Sequence, residues 1–201
     1  MPSGDAGLRS ATTDEQLIEE ALRGEKRAFR ELFERHRGGA YRVAYRLLGN
    51  HEDALDTVQE GFIKAFRALE HFEQRSSFKT WFMRIITNAC LDLRRSHASD
   101  PEGIGQDVVA IAETVSEDNR PRTRQASPTE RTDYEELRTA LDGALAQLSE
   151  DHRTVFVLHT EQDMTYREIA ELLDINVGTV MSRLFHARKN LQKILAKSDL
   201  L

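Results

Sequence analysis

The stretch "TYREIAELLDINVGTVMSRLFHARKNLQKIL", residues 165–195, decides the fold, because it reads as two helices meeting at a tight corner. Thr165 and Glu168 have capping-box spacing ahead of a short apolar-periodic segment, small Ala170 stands where two helices must approach closely, and "DIN" follows as the turn. Glycine is the commoner residue at such a corner, so Asp174 has to take the left-handed conformation, which Asp tolerates at some cost. In the second helix Val180, Leu184, Ala187, Leu191, Ile194 and Leu195 share one stripe at a period near 3.6, which should face the helices before it. Ser182, His186, Lys189 and Lys193 lie opposite, with Phe185 at one edge. From Gly178 to Lys197 there are five Lys or Arg and no Asp or Glu. Such a face suits phosphates and base edges, as the second helix of a helix-turn-helix does. A solvated, lysine-bearing last helix would carry the same charges; the capped helix and turn ahead of it favour the DNA-binding motif over an ordinary helical hairpin.

The chain as a whole is acidic, with a net charge of −6 over 201 residues, so the basic helix is a local feature. With 39% hydrophobic and 31% charged residues, the composition is that of a folding, water-soluble chain. No apolar run approaches the roughly 20 residues that span a bilayer, and "MPSGDAGLRSATTDEQ" lacks the apolar centre of a signal peptide. A cytoplasmic location and no membrane insertion are expected. The single cysteine, Cys90, excludes an internal disulfide and reads as a small core residue rather than a reactive thiol. No Cys/His cluster has zinc-site spacing, and there is no phosphate-cradling glycine loop or nucleophile triad. No metal, cofactor or catalytic residue is expected, and the chain does not read as an enzyme.

Strand-type alternation is almost absent and the helical period is lost only in "HASDPEGIGQDVVAIAETVSEDNRPRTRQASPTER", residues 97–131. The expected architecture is all-α: a disordered N-terminus over 1–12, a helical bundle over 13–97, a flexible linker over 98–131 and a helix-turn-helix domain over 132–201. Within the linker, Val108 to Ile111 could dock as one turn, though a tether is the plainer reading. Thr13 with Gln16 caps a first helix that Gly24 closes. A second runs from about Glu25, with Gly38-Gly39 as a possible bend. Asn50 caps a third, placing Ala54, Val58, Phe62, Ala65, Phe66 and Leu69 on one face. Ser76 and Ser77 can cap a fourth that buries Phe78, Phe82, Ile85, Ala89 and Leu93. Leu137, Leu141, Ala144, Leu145 and Leu148 mark a fifth, and Ser149 opens a sixth.

Two further faces carry charge. Between Arg75 and Arg95 five Lys or Arg meet the single acid Asp92, and helical geometry groups Thr80, Arg84, Asn88 and Arg95 on one side with Trp81 at its border. Trp81 could stack on an unpaired base or be a core tryptophan. On the third helix Glu52, Asp53, Asp56 and Glu60 precede the first cation, Lys64, with Gln59 alongside. That acidic stripe is either a solvated face with an i,i+4 pair or a protein-binding surface. Gly61 within it costs about 1 kcal/mol relative to Ala, which points to close packing against a neighbour.

Three motifs in one order, "DALDTVQEGFIKAF", "FEQRSSFKTWFMRIITNACLDLRR" and "LSEDHRTVFVLHTEQDMTYREIAELLDINVGTVMSRLFHARKNL", resemble those of bacterial sigma factors of the extracytoplasmic-function group, the minimal sigma-70 relatives. The resemblance implies partners and roles. The N-terminal domain would bind the beta-prime clamp helices of core RNA polymerase and melt the minus-ten element. The C-terminal domain would read the minus-thirty-five element and touch the beta flap, the linker would run toward the RNA exit region, and an anti-sigma factor would hold the chain inactive. It implies a polymerase contact at Asp53, Asp56, Gln59 and Glu60. It implies minus-ten contacts at Glu73, Gln74, Arg75, Ser76, Ser77, Lys79, Trp81, Arg84, Asn88 and Arg95, with Asn88 reading a flipped base. It implies minus-thirty-five contacts at Thr165, Tyr166, Thr179, Met181, Ser182, Arg183, Phe185, His186 and Lys189. Met181 and His186 stand where many relatives carry Lys or Arg, Gln74 where Gly is common, and Leu55 where an acid is common. Two other classes would share some of these features: a helix-turn-helix regulator acting as a dimer, for which there is no heptad or spare apolar helix, and a helical interaction module that meets acidic protein or lipid.

Overall fold

Local capping chemistry sets most of the helix starts. The computed structural model describes residues 12–99, 137 and 139–197. Helix α1, Asp14–Leu22, opens on a complete Thr13–Gln16 capping box, and Gly24 closes it in the left-handed region at φ 94°. Helix α2 is Lys26–Leu48 and α3 is His51–Ala68, the latter capped by Asn50, whose side-chain oxygen accepts from the N–H groups of Glu52 and Asp53. A 3-10 turn at Leu69–His71 leads to α4, Phe78–Ser99, where Ser77 Oγ accepts from the Thr80 N–H at 3.1 Å. Helix α5 covers residues 139–146, α6 is Glu150–Gln162, α7 is Tyr166–Leu173 and α8 is Val177–Leu195. Among the described residues there is no strand. The linker and tail, including Val108 to Ile111, lie outside the described residues apart from Thr12 and the last turn of α4.

Ser149 stands at the N-cap that opens α6, as expected, although its hydroxyl meets His152 Nδ1 at 2.9 Å and makes no side-chain cap. Two expectations are corrected. Gly38-Gly39 does not interrupt α2, which runs unbroken through both. Phe66 and Leu137, placed in the core by periodicity, are exposed; Phe66 meets the Phe29 ring, at 4.7 Å between centroids, at the edge of the α2–α3 contact.

The buried arc of α4 is also wider than its own period suggested. Phe78, Phe82, Met83, Ile86 and Cys90 are fully buried, whereas Ile85, Ala89 and Leu93 are half-buried at the edge. The cause is that α4 packs on α2 and α3 with one side and on α7 with another. Burial pushes the Cys90 thiol up to about 12. The N-terminal helices and α6–α8 share one continuous apolar cluster, which runs from Leu17 and Phe82 through Val155 and Ile169 to Leu184. A second cluster, with Ala144, Leu145, Leu148, Ala187 and Leu191, seats α5 against α8, and Phe156 touches both.

Gly61 supplies the close approach that its position in the helix predicted. A Cβ there would lie 2.3 Å from Ile86 Cδ1, well inside van der Waals contact, so any larger residue would have to displace the buried Ile86 side chain. Gly61→Ala should therefore destabilise the chain by about 1–3 kcal/mol in urea unfolding, despite alanine's better helix propensity. The double change Gly61→Ala with Ile86→Val should recover part of that loss, and no recovery would place the strain elsewhere.

Candidate nucleic-acid interface

The helix-turn-helix is built by α7 and α8. Thr165 and Glu168 close a reciprocal capping box, with Thr165 N–H donating to Glu168 Oε2 at 2.8 Å. Asp174 takes the left-handed conformation at φ 53°, ψ 50°, as the corner requires. Ile169, Ala170 and Leu172 share the buried cluster with Val180 and Leu184 of α8. On the outer side of α8, Met181, Ser182, Phe185, His186 and Lys189 are exposed, and Thr165 is exposed at the opposite end of the motif. Thr179 and Tyr166 are half-buried, Tyr166 packing on His159 with ring centroids 5.3 Å apart. Arg183 is partly covered and donates to Asp151 at 2.5 Å, so it is held at the side of the recognition face.

Sequence reasoning did not single out one property of that face. Val177, Met181 and Phe185 are 39%, 54% and 63% exposed, an apolar line at four-residue spacing on an otherwise basic helix. Their spacing was the available signal, since residues four apart share a face.

On α4 the residues expected to face the minus-ten element divide. Arg75, Asn88 and Arg95 are exposed; Arg75 pairs with Glu73 at 2.6 Å and Arg95 with Asp92 at 3.1 Å. Gln74 sits at φ 54°, a left-handed position that explains why glycine suits it and that turns the loop sharply ahead of α4. Ser76 is half-buried and Ser77 serves as the cap. Trp81 is half-buried, with ring centroids 4.8 Å from Phe72 and 5.7 Å from Phe78, so one part of the indole completes the core while another part stays accessible.

Lys79, Thr80 and Arg84 bond to the C-terminal helices, Thr80 buried, Lys79 half-buried and Arg84 still exposed. Lys79 Nζ donates to the Gln162 carbonyl at 2.5 Å, Thr80 Oγ1 to Glu168 Oε1 at 3.1 Å, and Arg84 to the Glu171 carbonyl at 2.5 Å. Thr80, expected on the open side, is thereby buried. The Glu168 carboxyl is held below its ordinary value, first by the Thr165 backbone N–H, then by the Thr165 hydroxyl, with Thr80 and Lys79 adding to the effect against partial burial.

The acidic stripe on α3 is open. Asp56, Gln59 and Glu60 are exposed and Asp53 is half-buried, and Glu60 reaches Lys64 only at 4.0 Å. Leu55, Ile63 and Phe66 are exposed beside them, so the stripe carries an apolar flank that its charges alone did not reveal.

Comparison with known proteins assigns both halves. Residues 32–99 match the family model for sigma-70 region 2, and residues 138–191 match that for sigma-70 region 4. The RNA polymerase sigma-H factor of Pseudomonas aeruginosa is 33% identical over 182 residues, covering 90% of this chain and 93% of that protein. The ECF RNA polymerase sigma-E factor of Escherichia coli is 34% identical, covering 88% of this chain and 91% of its own. Among solved structures, CnrH in complex with the cytosolic domain of CnrY is 26% identical, with a TM-score of 0.64 over 92% of this chain and 98% of that one. A sigma factor RpoE from Bartonella quintana, solved with NepR, has the same fold at 24% identity and a TM-score of 0.64, over 84% of this chain and 96% of that one.

Glu168 gives the interface a pH dependence of definite sign. Its carboxyl is lowered by folding from 4.5, so its contribution is in place above that value and is lost as the pH falls through the lower folded value. In thermal melts, Glu168→Gln should lose less of its Tm than the wild type between about pH 6 and about pH 3. Parallel losses would remove Glu168 as a source of the acid sensitivity.

Proposed function

Because the chain belongs to the sigma-70 family, in its extracytoplasmic-function group, we propose a specific division of labour between its surfaces. It is a dissociable promoter-specificity subunit that binds core RNA polymerase and directs transcription initiation, without catalysis of its own, in the cytoplasm. The domain over 13–97 binds the polymerase clamp helices through Asp53, Asp56, Gln59 and Glu60 and engages the minus-ten element through the loop at Glu73 to Ser77 and through α4. The domain over 132–201 engages the minus-thirty-five element through α7 and α8.

The observation that carries this reading is the separation of charge on the folded surface: an open acidic stripe on α3 and an acid-free basic face on α8. An acidic protein that binds DNA weakly alone gains its promoter affinity by being tethered to polymerase, since a second contact acts at high effective concentration. The exposed Leu55, Ile63 and Phe66 suit a protein partner at the acidic stripe, where DNA would be repelled. At α8, Val177, Met181 and Phe185 are apolar groups of the kind that contact thymine methyls in a major groove, while Arg183 and Lys189 suit phosphates. An anti-sigma factor is the expected regulator; CnrH was solved bound to CnrY.

Co-purification with core polymerase, followed by run-off transcription from a specific promoter, tests the assignment. Specific dimeric DNA binding with no effect on core enzyme would overturn it. Asp56→Ala with Glu60→Ala should weaken core binding, whereas Asn88→Ala should leave core binding intact and reduce promoter opening about tenfold or more, the loss of one good base contact. Met181→Arg should shift the preferred minus-thirty-five sequence toward guanine in a selection from randomised DNA. An unchanged selection would remove Met181 from the reading face.

A further inference from the structure

The first turn of α6 departs from ordinary capping chemistry. Ser149 occupies the N-cap, where a hydroxyl commonly accepts from a backbone N–H and steadies the helix. Here the hydroxyl makes no such bond and lies 2.9 Å from His152 Nδ1. The cap is given up to hold one ring.

That ring meets the recognition helix. The His152 and His186 centroids are 5.9 Å apart with planes tilted by 35°, and His186 also meets Phe185 edge-on at 5.4 Å. The three rings form a row that starts at a hydrogen-bonded, half-buried residue of α6 and ends on the exposed side of α8. Asp151, next to His152, accepts from Arg183 at 2.5 Å. Arg183 and His186 are neighbours on one side of α8 by helical spacing, so two consecutive residues of α6 engage two adjacent side chains of the recognition helix.

Orientation decides what an imidazole can read. An arginine meets guanine with a planar fork whose two bonds align it. The two nitrogens of a histidine ring face different ways and make no such fork. A single N–H discriminates between bases only where the ring is held before it meets them. In the major groove it would find the N7 acceptor, which both purines present and pyrimidines lack.

We propose that His152, anchored by Ser149, is a positioning residue for minus-thirty-five recognition: it fixes the His186 ring so that one N–H reads a purine N7. This inference rests on the sigma-factor reading of α8. His152 belongs to α6 and acts through His186. A ring pair of this kind shifts the population of the held orientation by about two- to tenfold, which sets the size of the effect.

The test is a selection from promoters with a randomised minus-thirty-five element, by holoenzyme reconstituted from the full chain and core polymerase. The wild type should prefer a purine at one position, and His186→Ala should lose that preference. His152→Ala should weaken it by about three- to tenfold there and leave the other positions as they were. His152→Phe, which keeps a ring, should restore most of it, and His152→Ala added to His186→Ala should change nothing further. Thermal melts check that each variant is folded. A folded His152→Ala variant with the wild-type preference would overturn the proposal, as would an even loss of selectivity across the element, the mark of a merely structural role. A wild-type chain that does not bind core polymerase would sink the sigma-factor reading. The restraint is then read on the free chain, where His152→Ala should average the His186 χ1 couplings in NMR and unchanged couplings would overturn it.

Discussion

Two helix ends and one buried guanidinium hold the halves of this molecule in register. Arg153 of α6 is buried and donates to the Leu47 carbonyl at 3.2 Å, the Ala146 carbonyl at 2.6 Å and the Leu148 carbonyl at 3.2 Å. Leu47 lies in the last turn of α2 and Ala146 ends α5, so two helix dipoles present their negative ends to one cation with no carboxylate bonded to it. Arg94 of α4 donates to the same Leu47 carbonyl at 2.8 Å. Burial, and then the charge of Arg94, lowers Arg153 to about 10, opposed by Glu150, yet it remains a cation at neutral pH. Its Nε has no partner among the described residues. A buried charge satisfied only by carbonyls is costly to desolvate and costly to leave unpaired. That cost ties the association of the two domains to the placement of two helix termini, those of α2 and α5.

The remaining contacts between the halves are of a different kind. The pairs of Arg42 and Arg46 with Glu161 and of Arg94 with Glu150, and the capping of last-turn carbonyls by Lys79 and Arg84, lie at or near the surface, where water can replace either partner at small net cost. The apolar part is the continuous cluster that joins the N-terminal helices to α6–α8, with Val155, Leu158 and Ile169 buried in it and Tyr166 and Phe156 at its edge. Together they make a contact that is specific in geometry, with polar pairs that water can replace around an apolar cluster that it cannot. This suits a chain whose two DNA-facing helices must separate to span two promoter elements.

Local chemistry explains which parts of this were legible in the sequence. The capping boxes at Thr13 and Thr165, the Asn50 cap and the left-handed Asp174 depend on residues within four positions of one another, and all four stand as read. The close approach at Gly61 was legible as an anomaly, though its partner Ile86 was not. Thr80, the wider buried arc of α4, the bond from the Gln162 amide to the Gly39 carbonyl, and Arg153 were not legible, because each is explained by a neighbour 80 or more positions away or on another domain. Phe66 failed for the opposite reason. Its spacing fits the core face, but periodicity cannot tell an apolar residue kept for this chain's interior from one left outside. The roles of the charged faces came from the resemblance, since charge alone left α3 and α8 as possible solvated surfaces.

The depth of Cys90 bears on how signals reach this protein. With its thiol pushed up to about 12 by burial and no exposed surface, Cys90 is held as the unreactive thiol at neutral pH. Peroxides and disulfide exchange both act on the thiolate, so the cysteine of the folded chain is a poor sensor of oxidants. If an oxidative stimulus governs the genes it serves, that stimulus has to be sensed on another molecule and relayed as a change in binding.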